Sequence, residues 1–256
     1  MTTVQVERPS EGVVLLRLNR PDARNALNGE LRQELADRVQ EVERDPDARC
    51  IVITGNGKAF AAGADLREIV GDTPVEIMRR RVLELWRVVA DCPLPIIAAV
   101  NGPALGGGCE LALHADIIVA GENVPMGQPE VRVGVMPGGG GTQRLMRAIG
   151  KYRTMKLVLT GEPITGAEAA AMGLASEAVP VEQVLERALE LAATIASRPP
   201  LAVRFTKEAT LAGADAALDT GLVLERHLFE FLFSTEDQKE GMQAFLDKRQ
   251  PAFRGR

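Results

Sequence analysis

Histidine, cysteine and aromatic side chains are scarce in this 256-residue chain, which has two His, three Cys, one Trp, one Tyr and seven Phe. Each scarcity removes a class of chemistry. Cys50, Cys92 and Cys109 lie far apart, without paired spacing, each beside apolar residues. That pattern excludes a zinc ribbon or a disulfide framework, and the expectation is buried thiols in a reducing, cytoplasmic compartment. His114 and His227 both fall in helical segments, so no His-rich cluster is available and no metal site is expected. A Ser/His/Asp triad would also need a Gly-x-Ser-x-Gly elbow, and none is present. With 4% aromatics and a net charge of −5, neither a base-stacking platform nor a nucleic-acid surface is expected. No apolar run reaches transmembrane length. Met1 to Asn19 carries Glu7, Arg8 and Glu11 and has no continuous apolar core, so no signal peptide is expected.

Nucleotide-binding signatures are missing too. A dinucleotide fingerprint needs glycines at relative positions one, three and six. Here Gly106 and Gly108 lead to Leu111, and Gly139 and Gly141 lead to Arg144. No Walker-type sequence precedes Lys58 or Lys151. Carboxylates and backbone amides are the chemical tools that remain.

What is present is an ordinary globular composition, 46% hydrophobic and 25% charged, in a chain long enough to bury a substantial core. Val13 to Asn19 reads as a strand stopped by Pro21. Leu31, Leu35, Val39 and Val42 form the apolar stripe of a helix that ends before Pro46. Cys50 to Thr54 reads as a buried strand, followed by the small-residue loop Ala59 to Asp65. Pro74 opens one further helix, with Ile77, Val82, Leu85, Val88 and Val89 as its stripe. Pro95 to Val100 and Asp116 to Ala120 are strands on either side of a glycine loop and a helix. Strand, loop and helix therefore alternate three times before residue 121, which is α/β organisation. Thr142 to Ile149 and Tyr152 to Leu159 read as helices. Thr165 and Glu168 form a capping box, and Leu174 to Val179 is a last strand. From Pro180 the chain turns mostly helical.

The stretch from Asn101 to Gly141 concentrates the remaining chemistry. Gly106-Gly107-Gly108 opens a helix whose first amides lack internal partners and carry the positive end of its dipole. The Gly107 N–H is therefore a candidate oxyanion donor, and the Gly63-Ala64 loop a source for a second. Glu110 lies about one turn into that helix, and Glu130 stands in a loop before the second glycine run. Two carboxylates around one water suit addition of water across a double bond. Spacing alone favours the plainer alternative, with Glu110 complementing a helix N-terminus and Glu130 on a surface loop.

The wording of the motifs goes further. KAFAAGADL (58–66), IAAVNGPALGGGCELALHADI (97–117) and GQPEVRVGVMPGGGGTQRL (127–145) closely resemble the crotonase, or enoyl-CoA hydratase/isomerase, superfamily. The resemblance extends through LNRPDARNALN (18–28), LTGEPITGAEAAAMGLA (159–175) and EDQKEGMQAFLDKR (236–249), and so spans essentially the whole chain. It implies an α/β fold, a spiral of ββα turns over residues 1–195 carrying the CoA and catalytic sites. A helical C-terminal region over 196–256 would build homotrimers, commonly paired into hexamers.

The same resemblance assigns residues. Glu110 and Glu130 fall on the two catalytic glutamates, the first activating water at C3 and the second exchanging the proton at C2. Ala64 and Gly107 fall on the oxyanion-hole amides, and Gly138 on a position whose amide contacts the catalytic region. Coenzyme A would lie along Asp22, Ala23 and Arg24 and along Ala62 to Leu66, including Asp65. Asp22 stands where some relatives have lysine, leaving Arg24 or Arg67 as phosphate contacts. Phe229, Phe245 and Lys248 match C-terminal positions that border acyl or CoA binding. The implied activity is hydration of a trans-2-enoyl-CoA, with no cofactor beyond the substrate's own CoA. Retention of both glutamates disfavours the double-bond isomerases, which often keep only the Glu130 equivalent. Some relatives bind RNA through a lysine-rich helix, but here the helix over 31–44 has four acidic residues against three arginines. Within the family, RPDARNALN, FAAGADL and the terminal F-x-G-R look most like bacterial hydratases of phenylacetate breakdown, which act on 2,3-dehydroadipyl-CoA.

Overall fold

The computed structural model describes residues 2–256. Its strands in chain order are β1 (Val4–Ser10), β2 (Val13–Leu18), β3 (Cys50–Gly55), β4 (Ile96–Val100), β5 (Ala104–Leu105), β6 (Ile117–Gly121), β7 (Pro125–Gly127), β8 (Ile164–Thr165) and β9 (Glu177–Val179). The helices of the first half are α1 (Gly29–Glu43), α2 (Leu66–Ile69), α3 (Pro74–Arg79), α4 (Val82–Ala90) and α5 (Gly107–His114). Those of the second half are α6 (Gly141–Thr160), α7 (Gly166–Ala171), α8 (Val184–Ala196), α9 (Pro200–Ala214), α10 (Leu218–Leu232) and α11 (Glu236–Leu246).

The main sheet has the order β1-β2-β3-β4-β6-β9, parallel except for the β1–β2 hairpin. A parallel sheet is covered on both faces, which is why its central strands read as unbroken apolar runs. Alternate residues feed two separate cores. Leu16, Ile51, Ile53, Ile96 and Ala98 face the side packed by α1 and α4. Leu15, Val52, Ile97, Ala99 and Val119 face Val184, Ala188 and Ala192 of α8.

A second, shorter ladder crosses the turns. It holds β5, β7 and β8, and isolated parallel bridges join Leu27 to Ala64 and Ala61 to Ala104. Each turn of the chain thus gives one strand to the main sheet and one extended segment to this ladder. The result is the spiral of ββα turns, with α9 to α11 following it as a helical C-terminal region. No helix among the described residues is long and apolar enough to cross a membrane.

Three local expectations change. The single helix from Pro74 is two helices, α3 and α4, separated by Arg81 at φ 49°, and Ile77 of the expected stripe is exposed. The buried residues of α4 are Trp86 and Val89. The helices on either side of Gly150 run as α6 with a break at that glycine, at φ 76° and ψ 172°. Strand β1 has no apolar run to announce it, because it is a hairpin edge with only its first residue buried. The Thr165–Glu168 capping box is present as expected.

Candidate active site

The second ladder places two backbone amides side by side. Leu27 N–H donates to Gly63 O (2.8 Å) and Asp65 N–H to Leu27 O (3.3 Å), so the intervening Ala64 N–H faces away from that bridge. One turn of the spiral on, Leu105 N–H donates to Ala61 O (3.1 Å) and Gly106 N–H to Gly127 O (2.8 Å). The chain then enters α5 at Gly107. Among the described residues neither Ala64 N–H nor Gly107 N–H has an acceptor. Each follows a glycine in the left-handed region, Gly63 at φ 104° and Gly106 at φ 53°, which L side chains rarely adopt. The two loops touch, since a Cβ on Gly107 would lie 3.7 Å from Ala64 N. Paired free N–H groups in this arrangement suit an oxygen that gains negative charge.

Glu110 sits in the first turn of α5, 4% exposed. Its Oε1 accepts from Gly139 N–H (2.7 Å) and Gly141 N–H (2.9 Å), where the second glycine run enters α6. Glu130 opens a short 3-10 turn, Glu130–Val133, after β7. A Cβ on Gly106 would stand 3.1 Å from Glu130 Oε1, so this carboxylate lies directly against the oxyanion loop. The fully buried Gln128, with its amide nitrogen turned to the carboxylate, donates to Glu130 Oε1 at 2.8 Å.

Both carboxyls have raised pKa values. Burial is the main cause for Glu110, opposed by the Gly141 and Gly139 amides and by the charge of Arg32. Glu130 is pushed up to about 7, by burial first and then by the neighbouring Glu110 charge. A carboxylate held by two amides beside a carboxyl pushed up to about 7 has the chemistry to serve as a base and an acid toward one substrate.

Residues outside the glycine motifs complete the pocket. A Cβ on Gly139 would fall 2.5 Å from both Glu110 Oε2 and Trp86 Nε1, so the indole stands beside the carboxylate. His114 stacks on Trp86 with ring centroids 5.4 Å apart, and its Nδ1 lies 2.7 Å from Glu110 O. Burial and the nearby Arg144 depress the imidazole to about 4, so it is neutral structural packing. Cys109, beside Glu110, is pushed up to about 12 by burial and is no nucleophile. Among the described residues no three His, Cys, Asp or Glu cluster in a way that could hold a metal ion.

The other expected positions divide. Asp22 and Ala23 lie in a short 3-10 turn, and Arg24 O accepts from Ala62 N–H (3.0 Å), which joins that turn to the loop 62–67. Asp65 is paired with Arg20 (3.0 Å), a cation not singled out in the sequence, whereas Leu66 and Arg67 are exposed. Gly138 is exposed with open space around its Cα, and the amides that reach Glu110 are those of Gly139 and Gly141. Phe229, Phe245 and Lys248 belong to the C-terminal helices α10 and α11 and the turn after them. Phe229 is 49% and Phe245 83% exposed. Trp86 lay in no quoted motif, and Arg20 and Gln128 lay inside quoted motifs without being singled out. Only the tertiary packing of α4, β7 and the 20–26 turn brings them to the site.

A parallel-sheet spiral with paired free amides and two opposed glutamates defines an acyl-transfer or enolate-stabilising class of enzyme. The comparisons narrow it. The enoyl-CoA hydratase/isomerase family matches residues 8–256, and the chain belongs to that family. It is 48% identical over 244 residues to the 2,3-dehydroadipyl-CoA hydratase of Escherichia coli, covering 95% of this chain and 96% of that one. It is 44% identical to the mitochondrial enoyl-CoA hydratase of Pongo abelii, covering 94% of this chain and 83% of that one. Among solved structures, enoyl-CoA hydratase from Bacillus anthracis superposes with a TM-score of 0.96 at 39% identity, over 99% of this chain and 100% of that one. The chain is an enzyme of the enoyl-CoA hydratase type.

Proposed function

We propose that this enzyme adds water across the 2,3 double bond of a trans-2-enoyl-CoA, with Glu110 and Glu130 as the acid–base pair. The carrying observation is that both glutamates flank the Ala64/Gly107 amide pair, one tied down by two N–H donors and the other titrating near 7. The thioester oxygen accepts from the two amides, which draws electron density from C3. Glu110 takes a proton from the water as its oxygen bonds to C3. The electron pair of the double bond passes to the enolate oxygen, and Glu130 delivers a proton to C2 as the enolate collapses. The dyad ends with its proton exchanged between the two carboxyls, and solvent restores the starting form. One oxyanion donor is typically worth about 2.7–4 kcal/mol of barrier. The chain's own residues supply all of this chemistry without a cofactor.

CoA would lie along Asp22 to Arg24 and Ala62 to Arg67, a reading supported by the Arg24–Ala62 hydrogen bond that makes one surface of the two segments. Exposed apolar side chains on α10 and α11, among them Phe231, Phe245 and Leu246, support trimer formation through the C-terminal region. Three buried free cysteines accord with a cytoplasmic setting. The 2,3-dehydroadipyl-CoA hydratase relative supports that substrate, and with it the role in phenylacetate breakdown that the motif resemblance implies.

Product analysis tests the reaction type. Given a 2-enoyl-CoA, the enzyme is expected to form the 3-hydroxyacyl-CoA, heavier by one water. Conversion of a 3-enoyl-CoA to the 2-enoyl isomer without hydration of either would assign it to the isomerases instead.

A further inference from the structure

Gln128 is a fully buried amide packed between Glu130 and the glycine run that holds Glu110. Only one orientation of that amide satisfies both of its ends. The nitrogen then donates to Glu130 Oε1 (2.8 Å) and reaches Oε2 (3.3 Å), while the oxygen turns to a side that offers only donors. One of these is the Cys109 thiol, also fully buried, which has the Gln128 side chain as a hydrogen-bond partner. Burial pushes the thiol up to about 12, so it stays protonated and donates its S–H. Gly141 closes a further side. A Cβ there would fall 2.8 Å from the amide carbon of Gln128, and the Gly141 N–H is one of the two that hold Glu110.

The orientation matters because the two ends of an amide do opposite things. A carboxyl that must give its proton to substrate cannot also give it to a neighbour. An N–H can only donate, so facing Glu130 it steadies the carboxylate and leaves the carboxyl proton free. A carbonyl in the same place would accept the O–H and hold the proton back. The titratable groups facing Glu130 are Glu110 and Cys109, both on α5. Arg132 of its own turn packs toward Gly161, and α6, which lies against that turn, brings no charge to bear on Glu130. Among the described residues, Gln128 is therefore the side chain that donates to this carboxyl.

We propose that Gln128 is a positioning residue for the proton bound for C2: its amide N–H aims the Glu130 carboxyl, and the Cys109 thiol keeps the carbonyl end away from it. The proton passes from Glu130 to C2, and neither Gln128 nor Cys109 gives one up. The inference rests on the hydratase reading above.

The test measures kcat, KM and the pH profile of crotonyl-CoA hydration for wild type, Gln128→Met, Cys109→Ser and Cys109→Ala. Gln128→Met fills the space without the donor. It should lower kcat about 10- to 100-fold with KM nearly unchanged, the range of a hydrogen bond to a charged group. Losing an N–H that favours the charged carboxylate should also move the alkaline limb to higher pH by about one pH unit. A loss of activity with the limb unmoved would reduce Gln128 to packing, and near-normal turnover would remove its role altogether. Cys109→Ala frees the amide to turn and should lower kcat, whereas Cys109→Ser restores a donor and should keep more of the activity. That pair decides the matter if the Gln128→Met variant does not fold, and equal turnover in the two would overturn the proposal. Failure of wild type to hydrate crotonyl-CoA would instead remove the reading on which it rests.

Discussion

Glu110 accepts from the Gly139 amide at 2.7 Å across 29 residues of chain, and the contact exists only because residue 139 has no side chain. A Cβ there would press to 2.5 Å from both Glu110 Oε2 and Trp86 Nε1, far inside van der Waals contact. The second glycine run is therefore a clamp on the Glu110 carboxylate.

Gly139→Ala should displace the Glu110 carboxylate and reduce kcat by about two orders of magnitude, the scale of one misplaced catalytic group. Gly138→Ala, one residue earlier, meets nothing within 4 Å and is expected to keep near-normal turnover. Steady-state kinetics on the two variants side by side checks the contrast. Equal effects at both positions would show that the run is merely a flexible loop.

The proposed Glu110–Glu130 acid–base pair predicts a pH profile. With Glu130 raised to about 7 by burial and the Glu110 charge, the pair holds one proton in its working form. Raising the pH through that value removes the proton destined for C2, so kcat/KM for hydration should fall on the alkaline side of about 7. Dehydration needs the same singly protonated pair with the proton on the other carboxyl, so it should fall over the same range. Initial rates in both directions from pH 5 to about 9 measure this.

Stability should carry a mark of the same group, in the same direction. The Glu130 pKa is raised in the folded chain from 4.5 to about 7. Between those values the native state holds a proton that the unfolded chain has released, so stability falls as pH rises across the window. Glu130→Gln removes the titration. Its Tm should exceed that of wild type by more at pH 8 than at pH 5, while activity is lost. Thermal unfolding at the two pH values decides the sign.

Gly108 plays a different part from Gly139. A Cβ at 108 would lie 1.9 Å from Ala61 O, within the ladder that carries the Ala64 loop. Gly108→Ala is expected to cost about 3 kcal/mol or more, by overpacking backbone against backbone. Denaturant unfolding should report that loss. Unchanged stability would mean that the ladder has room the structure does not show.

The sequence carried the site's outline because its parts are local. Glycines before Gly107, a carboxylate one turn into a helix, and apolar runs for the central parallel strands are all readable within ten residues. What eluded sequence reading is held by distant partners. Strands β5, β7 and β8 have two or three residues each and exist through the ladder linking successive turns. Trp86 lay outside the apolar stripe read for one long helix from Pro74, and the separate helix α4 that starts after Arg81 buries it beside Glu110. Gln128 sits two residues from Glu130 inside the 127–145 motif, but its reach to the carboxylate follows from how the chain leaves β7 and could not be read from the motif. Arg32 reads as one of the surface charges of an amphipathic helix. Its burial follows from α2 and α4 closing over the first turns of α1.

The most direct measurement is the loss of enoyl-thioester absorbance on mixing crotonyl-CoA with wild type, Glu110→Gln and Glu130→Gln. Wild type should consume the conjugated thioester. Each variant should be slower by about 10²- to 10⁴-fold, the range of one acid–base group, with affinity for CoA retained. Inactive wild type across several chain lengths, or near-normal turnover in either variant, would contradict the account.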